Sequence, residues 1–233
     1  MKKIILWPLL ILSICAITNQ KLIAQNANSN TALNKEEQKV MDYIDANMPR
    51  AIALLKESVN INSGTLNIAG VKKVGEIFAR EFEKANFKTK WIPMPDSLRR
   101  AGHLVATTGF NNKAADKKNP KRKKLFLIGH LDTVFEPDMP ANPFTMLNDS
   151  TATGQGVNDM KGGDVVMIIA LQALHAQGLL KDADIIAYLT GDEEHAANPR
   201  EISRADFIES AKQTDIALAF EGANGLNSVA TAR

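Results

Sequence analysis

The chain has 233 residues, 45% of them hydrophobic, and a formal net charge of +2. This length is sufficient for one domain with a sizeable core. The only cysteine, Cys15, excludes a fold stapled by disulfide bonds within the chain.

The N-terminus predicts a secretory signal peptide over residues 1–24. Met1, Lys2 and Lys3 precede the short apolar stretch 4–17, and Ala24 offers a cleavage point. The apolar stretch is too short to favour a stable membrane span. We therefore expect an exported protein, periplasmic or extracellular. Cleavage would remove three lysines and no acidic residue, so the formal charge of +2 would become −1.

The rest of the chain alternates patterns typical of helices and strands. Residues 25–34 are polar and predict a flexible leader, so the folded domain is expected over residues 35–233. Helical spacing, as in residues 71–87, precedes strand-like runs such as 103–108, which predicts an α/β fold with a mostly parallel sheet flanked by helices. The basic run 117–124 is interpreted as a solvated loop, and no nucleic-acid partner is expected.

A first polar cluster follows the apolar, strand-like residues 124–128. His130 and Asp132 are two residues apart, so in a strand they share one face. The imidazole could then bind a metal while the Asp132 carboxylate accepts its other ring N–H. The alternative is an ordinary solvated strand end.

A second cluster contains Asp159, ahead of the helical pattern of residues 165–174. The usual role of an aspartate before a helix is to cap it, and this alternative stays open. Gly162 and Gly163 weaken the capping alternative, because glycines are costly in a helix unless the backbone must approach another group closely.

A third cluster follows the strand-like residues 185–190. Glu193 and Glu194 are adjacent, so their side chains diverge, and one carboxylate could bind a metal while the other acts as a general base. The alternative is a charged surface turn. Since all three clusters end a strand or open a helix at one predicted sheet edge, we interpret them together as the site of a two-metal hydrolase.

These motifs resemble those of a known family. Residues 129–134, 156–163, 191–194 and 219–222 are similar in order and spacing to the co-catalytic zinc metallopeptidases that include glutamate carboxypeptidases, aminoacylases and succinyl-diaminopimelate desuccinylases. The similarity spans roughly residues 36–233. It implies a zinc exopeptidase-like catalytic domain that hydrolyses amide bonds of small peptides or N-acyl amino acids by a two-metal hydroxide mechanism.

The resemblance also implies a role for each candidate residue. His130 and Glu221 would bind one zinc ion, Glu194 the second, and Asp159 would bridge the two. Glu193 would be the general base, and Asp132 would support His130. The family often has a cis peptide after its bridging aspartate, so the bond between Asp159 and Met160 is expected to be cis.

Two departures from the family pattern affect these expectations. The family's second metal takes a further histidine from a late segment, and a lid or dimerisation domain is inserted near the point where this sequence ends, after a strand-like stretch at 226–230. We therefore expect a catalytic domain truncated before the lid, weak or inactive by itself, with homodimerisation through the missing lid. His195 is a poor substitute ligand, because it directly follows Glu194. An inactive metal-binding remnant and a related zinc aminopeptidase are the alternatives.

Overall fold

Four helices and seven strands form the part of the chain described by this computed structural model, residues 32–109 and 122–222. The helices are α1 (Lys35–Val59), α2 (Ile68–Lys84), α3 (Lys161–Ala176) and α4 (Arg200–Ala211). The strands are β1 (Lys88–Ile92), β2 (His103–Thr108), β3 (Lys124–His130), β4 (Thr145–Asn148), β5 (Thr151–Thr153), β6 (Asp184–Thr190) and β7 (Ile216–Ala219). A 3-10 turn covers Asp96–Leu98.

Contacts divide the chain into two units, residues 1–33 and 34–233, and the fold below is that of the second unit. The predicted signal peptide, most of the leader, the basic residues 117–121 and the predicted strand at 226–230 lie outside the described residues. None of the described helices combines the length and the apolar character needed to cross a bilayer.

The main sheet has the strand order β1-β2-β6-β3-β7. Strand β3 is parallel to both β6 and β7, whereas β2 is antiparallel to both β1 and β6. Four of the five strands therefore point the same way, which confirms the predicted α/β fold with a mostly parallel sheet. Strand β2 is reversed because only residues 93–102 join it to β1, fewer than a parallel crossover requires.

Helices cover both faces of this sheet. The larger core contains residues of α2, α3 and the inner strands, among them Phe78, Ile168 and Leu189, with α1 packed on α3. On the other face, Phe207 of α4 packs edge-on against Phe126 and Tyr188. Burial on both faces explains why β3 and β6 are nearly continuous apolar runs.

The strand register brings the predicted clusters to one edge. His130, the last residue of β3, lies opposite Thr190, the last residue of β6. Ala219 of β7 lies opposite Ile128, so Glu221 follows at the same edge. Residues 130–132, 191–194 and 221 therefore leave the sheet side by side.

Two sequence patterns gave an incomplete picture of the elements. Residues 40–44 and 51–55 each have helical spacing and predict two separate helical segments. In the structure both belong to a single helix, α1, which continues through Pro49 and starts with a capping box between Asn34 and Glu37. The β4–β5 hairpin and α4 were not predicted. All of β4 is exposed, and Ser203 is the only residue of α4 that is fully buried, so neither element carries a strong hydrophobic periodicity.

Candidate metal centre

The imidazole of His130 is buried and held in one orientation. Its Nδ1 lies 3.0 Å from the backbone carbonyl oxygen of Asp132, which can only accept, so Nδ1 carries the proton. Nε2 then presents a lone pair to two carboxylates, Asp159 Oδ1 at 3.0 Å and Glu221 Oε1 at 3.6 Å. A lone pair facing carboxylates is repulsive unless a proton or a metal ion lies between them.

Three side chains form a group that could hold a metal ion. One ligand atom from each of His130, Asp159 and Glu194 lies within 4.8 Å of the other two. Glu221 is close to His130 but outside this mutual group, and His195 is exposed and also outside it. The structure therefore brings the four predicted metal ligands to one place from four chain segments.

The donor set fits zinc. One imidazole with several carboxylates is a ligand combination that zinc accepts, and the Nδ1–H tautomer of His130 leaves Nε2 available to a metal. Two of the carboxylates also face outward, with 61% of the Asp159 side chain and 41% of the Glu221 side chain exposed. A ligand that approaches from solvent can therefore reach the group.

The electrostatics also favour a cation here. Burial lowers the pKa of His130, but the nearby carboxylate of Asp132 and the hydrogen bond to the Asp132 backbone act in the opposite direction, and the pKa lies above its ordinary value. Burial and the charge of Asp159 raise the pKa of Glu194 to about 7. Crowded carboxylates hold protons in this way when nothing else neutralises them, and a divalent cation would displace those protons.

Asp132 is fully buried and holds the loop that carries the two glutamates. Its carboxylate accepts the backbone N–H of Glu193 at 3.0 Å and of Glu194 at 3.1 Å, and also the Thr65 hydroxyl at 2.6 Å. The expected contact between the His130 ring and this carboxylate is longer, 3.6 Å, than the contact of the same ring with the Asp132 backbone carbonyl. The carboxylate thus anchors the Glu193–Glu194 loop at least as directly as it supports His130.

Asp159 does not cap a helix. Helix α3 begins at Lys161, and its N-cap residue Met160 makes no side-chain capping bond. The peptide between Asp159 and Met160 is cis, as expected. A Cβ atom on Gly163 would lie 1.8 Å from the backbone oxygen of Phe220, so the glycine allows α3 to approach the segment that leads to Glu221.

Glu193, the predicted general base, is exposed beside this group. Its backbone is fixed by Asp132, while its side chain is directed to solvent rather than into the core. An exposed carboxylate on an anchored backbone is able to exchange protons with water or a substrate.

Several residues that shape the site escaped the sequence interpretation. Thr65 is one of them, because its hydrogen bond to Asp132 joins residues that are 67 positions apart in the chain. His103, the first residue of β2, was also missed, and it is fully buried because β2 lies between β1 and β6.

Asp164 on α3 was also missed. It is fully buried, and neither of its carboxyl oxygens has a hydrogen-bond partner among the described residues. Burial, the largest effect, raises the pKa of Asp164 well above its ordinary value of 3.8. Oδ1 lies 2.1 Å from where a Cβ on Gly129 would stand, so this carboxyl needs the glycine ahead of His130.

This buried acid should give the zinc-free protein a distinct pH dependence. In the unfolded chain Asp164 loses its proton above the ordinary pKa of 3.8, whereas the raised pKa keeps the proton on Asp164 in the folded state. The folded state is therefore destabilised as pH rises from 3.8 until it passes the folded-state pKa of Asp164. An Asp164→Asn variant lacks this titration. Relative to it, wild type should lose up to about 1.4 kcal/mol of unfolding free energy per pH unit, measured with urea in chelator. A difference that stays constant from pH 5 to 9 would contradict the assignment.

Comparison with known proteins shows similarity to a peptidase family. The profile of Peptidase family M20/M25/M40 matches residues 126–228. Carboxypeptidase G2 from Pseudomonas sp. (strain RS-16) is 30% identical over 175 residues, which are 74% of this chain and 39% of that protein. The chain thus spans about two-fifths of the length of this relative.

Solved structures share the fold. Human carnosine dipeptidase 1 superposes with a TM-score of 0.61 at 20% identity, over 78% of this chain and 40% of that one. An M20 family metallo-carboxypeptidase from Sulfolobus solfataricus gives 0.54 at 18% identity, over 74% and 37%.

Proposed function

The chain belongs to Peptidase family M20/M25/M40, and on this basis we propose that it carries the metal centre and general base of a zinc-dependent amidohydrolase of the carboxypeptidase or aminoacylase type. The observation that supports this most directly is the convergence of His130, Asp159 and Glu194 at the ends of the parallel strands. The substrates proposed are small peptides and N-acyl amino acids.

Each residue has a part in this proposal. His130 and Glu221 would hold one zinc ion and Glu194 a second, with one oxygen of Asp159 available to each. When bound, zinc supplies positive charge that acidifies water and polarises a carbonyl group. Asp132 keeps the backbone of both glutamates in place.

Glu193 would move the proton. Its exposed carboxylate can accept a proton from the attacking water and then deliver it to the leaving amide nitrogen. One residue then serves first as base and afterwards as acid, so cleavage of the C–N bond needs no second proton donor.

The type of substrate is supported by sequence rather than by geometry. Carboxypeptidase G2 is 30% identical to this chain over 175 residues, and its name describes removal of a C-terminal residue. A carboxypeptidase-type enzyme requires a free substrate carboxylate, whereas an aminopeptidase requires a free amine.

A paired-substrate assay tests the proposal. The natural gene product that contains these residues should release the C-terminal amino acid from an N-acyl dipeptide with a free carboxylate, and not from the same compound amidated at its C-terminus. Release should stop in chelator and return with zinc. If only substrates with a free amine are cleaved, the enzyme is of the aminopeptidase type rather than the carboxypeptidase type. If zinc-dependent cleavage is absent for every amide tested, the proposal is overturned.

A further inference from the structure

His103 connects two backbone segments that frame the Glu193–Glu194 loop. Its Nδ1 lies 3.1 Å from the amide nitrogen of Gly191, and its Nε2 lies 2.9 Å from the carbonyl oxygen of Ser203. An amide N–H can only donate and a carbonyl can only accept, so the ring is neutral with its proton on Nε2. Burial lowers the pKa of His103, which is consistent with a neutral ring.

The two segments joined by His103 are also joined through Asp192. Gly191 opens the loop, and Ser203 lies on α4. The buried Asp192 carboxylate accepts the amide of Ala197 at 3.0 Å and is bonded to the side chains of Ser203 and Arg204. His103 and Asp192 therefore fasten the loop to α4 at successive positions, directly before Glu193.

The start of the loop has almost no room to shift. A Cβ on Gly191 would lie 2.2 Å from the backbone oxygen of Gly102, the residue before His103. Loss of the imidazole acceptor would leave the Gly191 N–H buried without its partner, at a site where water has little space to replace it. The loop must then move to satisfy this donor, and Glu194 lies only three residues further on.

We propose that His103 is a positioning residue, which fixes the Glu193–Glu194 loop through the Gly191 amide and so supports zinc binding by Glu194. The activity part of this proposal rests on the proposed function. The structural part does not, because it concerns backbone amides of the metal-free protein.

Two matched variants separate the two hydrogen bonds of the ring. In His103→Asn the side-chain oxygen can take the place of Nδ1 and still accept from Gly191. In His103→Gln the side-chain NH2 takes the place of Nε2, so the bond to Ser203 can remain while the acceptor for Gly191 is lost. If His103 only stabilised the fold, zinc affinity in both variants would fall in proportion to their loss of folding stability.

The first measurement is zinc affinity of the natural gene product, with unfolding free energy measured in parallel. We expect His103→Gln to bind zinc about tenfold more weakly than wild type, which is the smaller end of the effect seen when a residue that orients a metal ligand is replaced. We expect the zinc affinity of His103→Asn to stay close to that of wild type. Equal affinities of wild type and His103→Gln would overturn the proposal. The proposal would also be overturned if zinc affinity fell equally in both variants and in proportion to their unfolding free energies.

The second measurement is amide hydrogen exchange without zinc. Exchange at Gly191, Glu193 and Glu194 should be faster in His103→Gln than in His103→Asn. If wild type shows no hydrolysis but the exchange difference is present, the proposed function fails and the positioning role stands. Unchanged exchange at these amides would overturn the positioning role even in an active enzyme.

Discussion

Glutamine at position 193 will lower kcat for amide hydrolysis by about a hundredfold to ten-thousandfold, the range observed when a general base is removed. Glutamine has nearly the same shape as glutamate but cannot accept and return a proton. The backbone of residue 193 is held by the Asp132 carboxylate through its N–H, which the substitution does not change. Zinc affinity should therefore stay close to wild type, and the loss should appear in kcat measured at saturating substrate.

A matched control is Glu201→Gln. Glu201 is an exposed glutamate in the first turn of α4, a few residues from the loop, and its substitution removes the same charge. It should retain wild-type turnover. Equal turnover by Glu193→Gln and wild type would reject Glu193 as the base, and a parallel fall in zinc affinity would show that Glu193 acts as a ligand instead.

The parts of the site that could be predicted from sequence are those fixed by strand ends. His130 and Thr190 close two parallel strands in register, so the residues that follow each strand must emerge together. Apolar runs located those strands, and polar residues directly after them located the site. The local sequence pattern and the strand register therefore place the site at the same edge of the sheet.

The supporting contacts could not be predicted because they depend on pairing between distant segments. His103 lies 88 positions from Gly191 and 100 from Ser203, and nothing near it in the sequence distinguishes it from a histidine at a sheet edge. Asp164 looks like an ordinary first-turn acid of a helix. Only the packing of α3 against Gly129 shows that it is fully buried.

Asparagine at position 159 will abolish most of the stabilisation that zinc gives the fold. Asp159 contributes to the mutual ligand group, and a carboxylate can offer an oxygen to each of two ions, whereas an amide offers one uncharged oxygen. Zinc at a hundred times its dissociation constant should raise the unfolding free energy of wild type by about 2.7 kcal/mol. The variant should gain little under the same conditions, and its bound zinc, measured by elemental analysis, should fall below the two ions expected for wild type.

Asp138→Asn is the matched control, because Asp138 is an exposed aspartate in the stretch after β3 and loses the same charge without belonging to the ligand group. It should keep the full zinc effect. If Asp159→Asn kept both ions and the full stabilisation, Asp159 would not be the bridge. If Asp159→Asn kept one ion, only one of the two metal sites would depend on Asp159. The remaining ion would then be held by His130 and Glu221, whose Nε2 and Oε1 atoms lie 3.6 Å apart. The metal count of this variant therefore tests the number of ions and the role of Asp159 together.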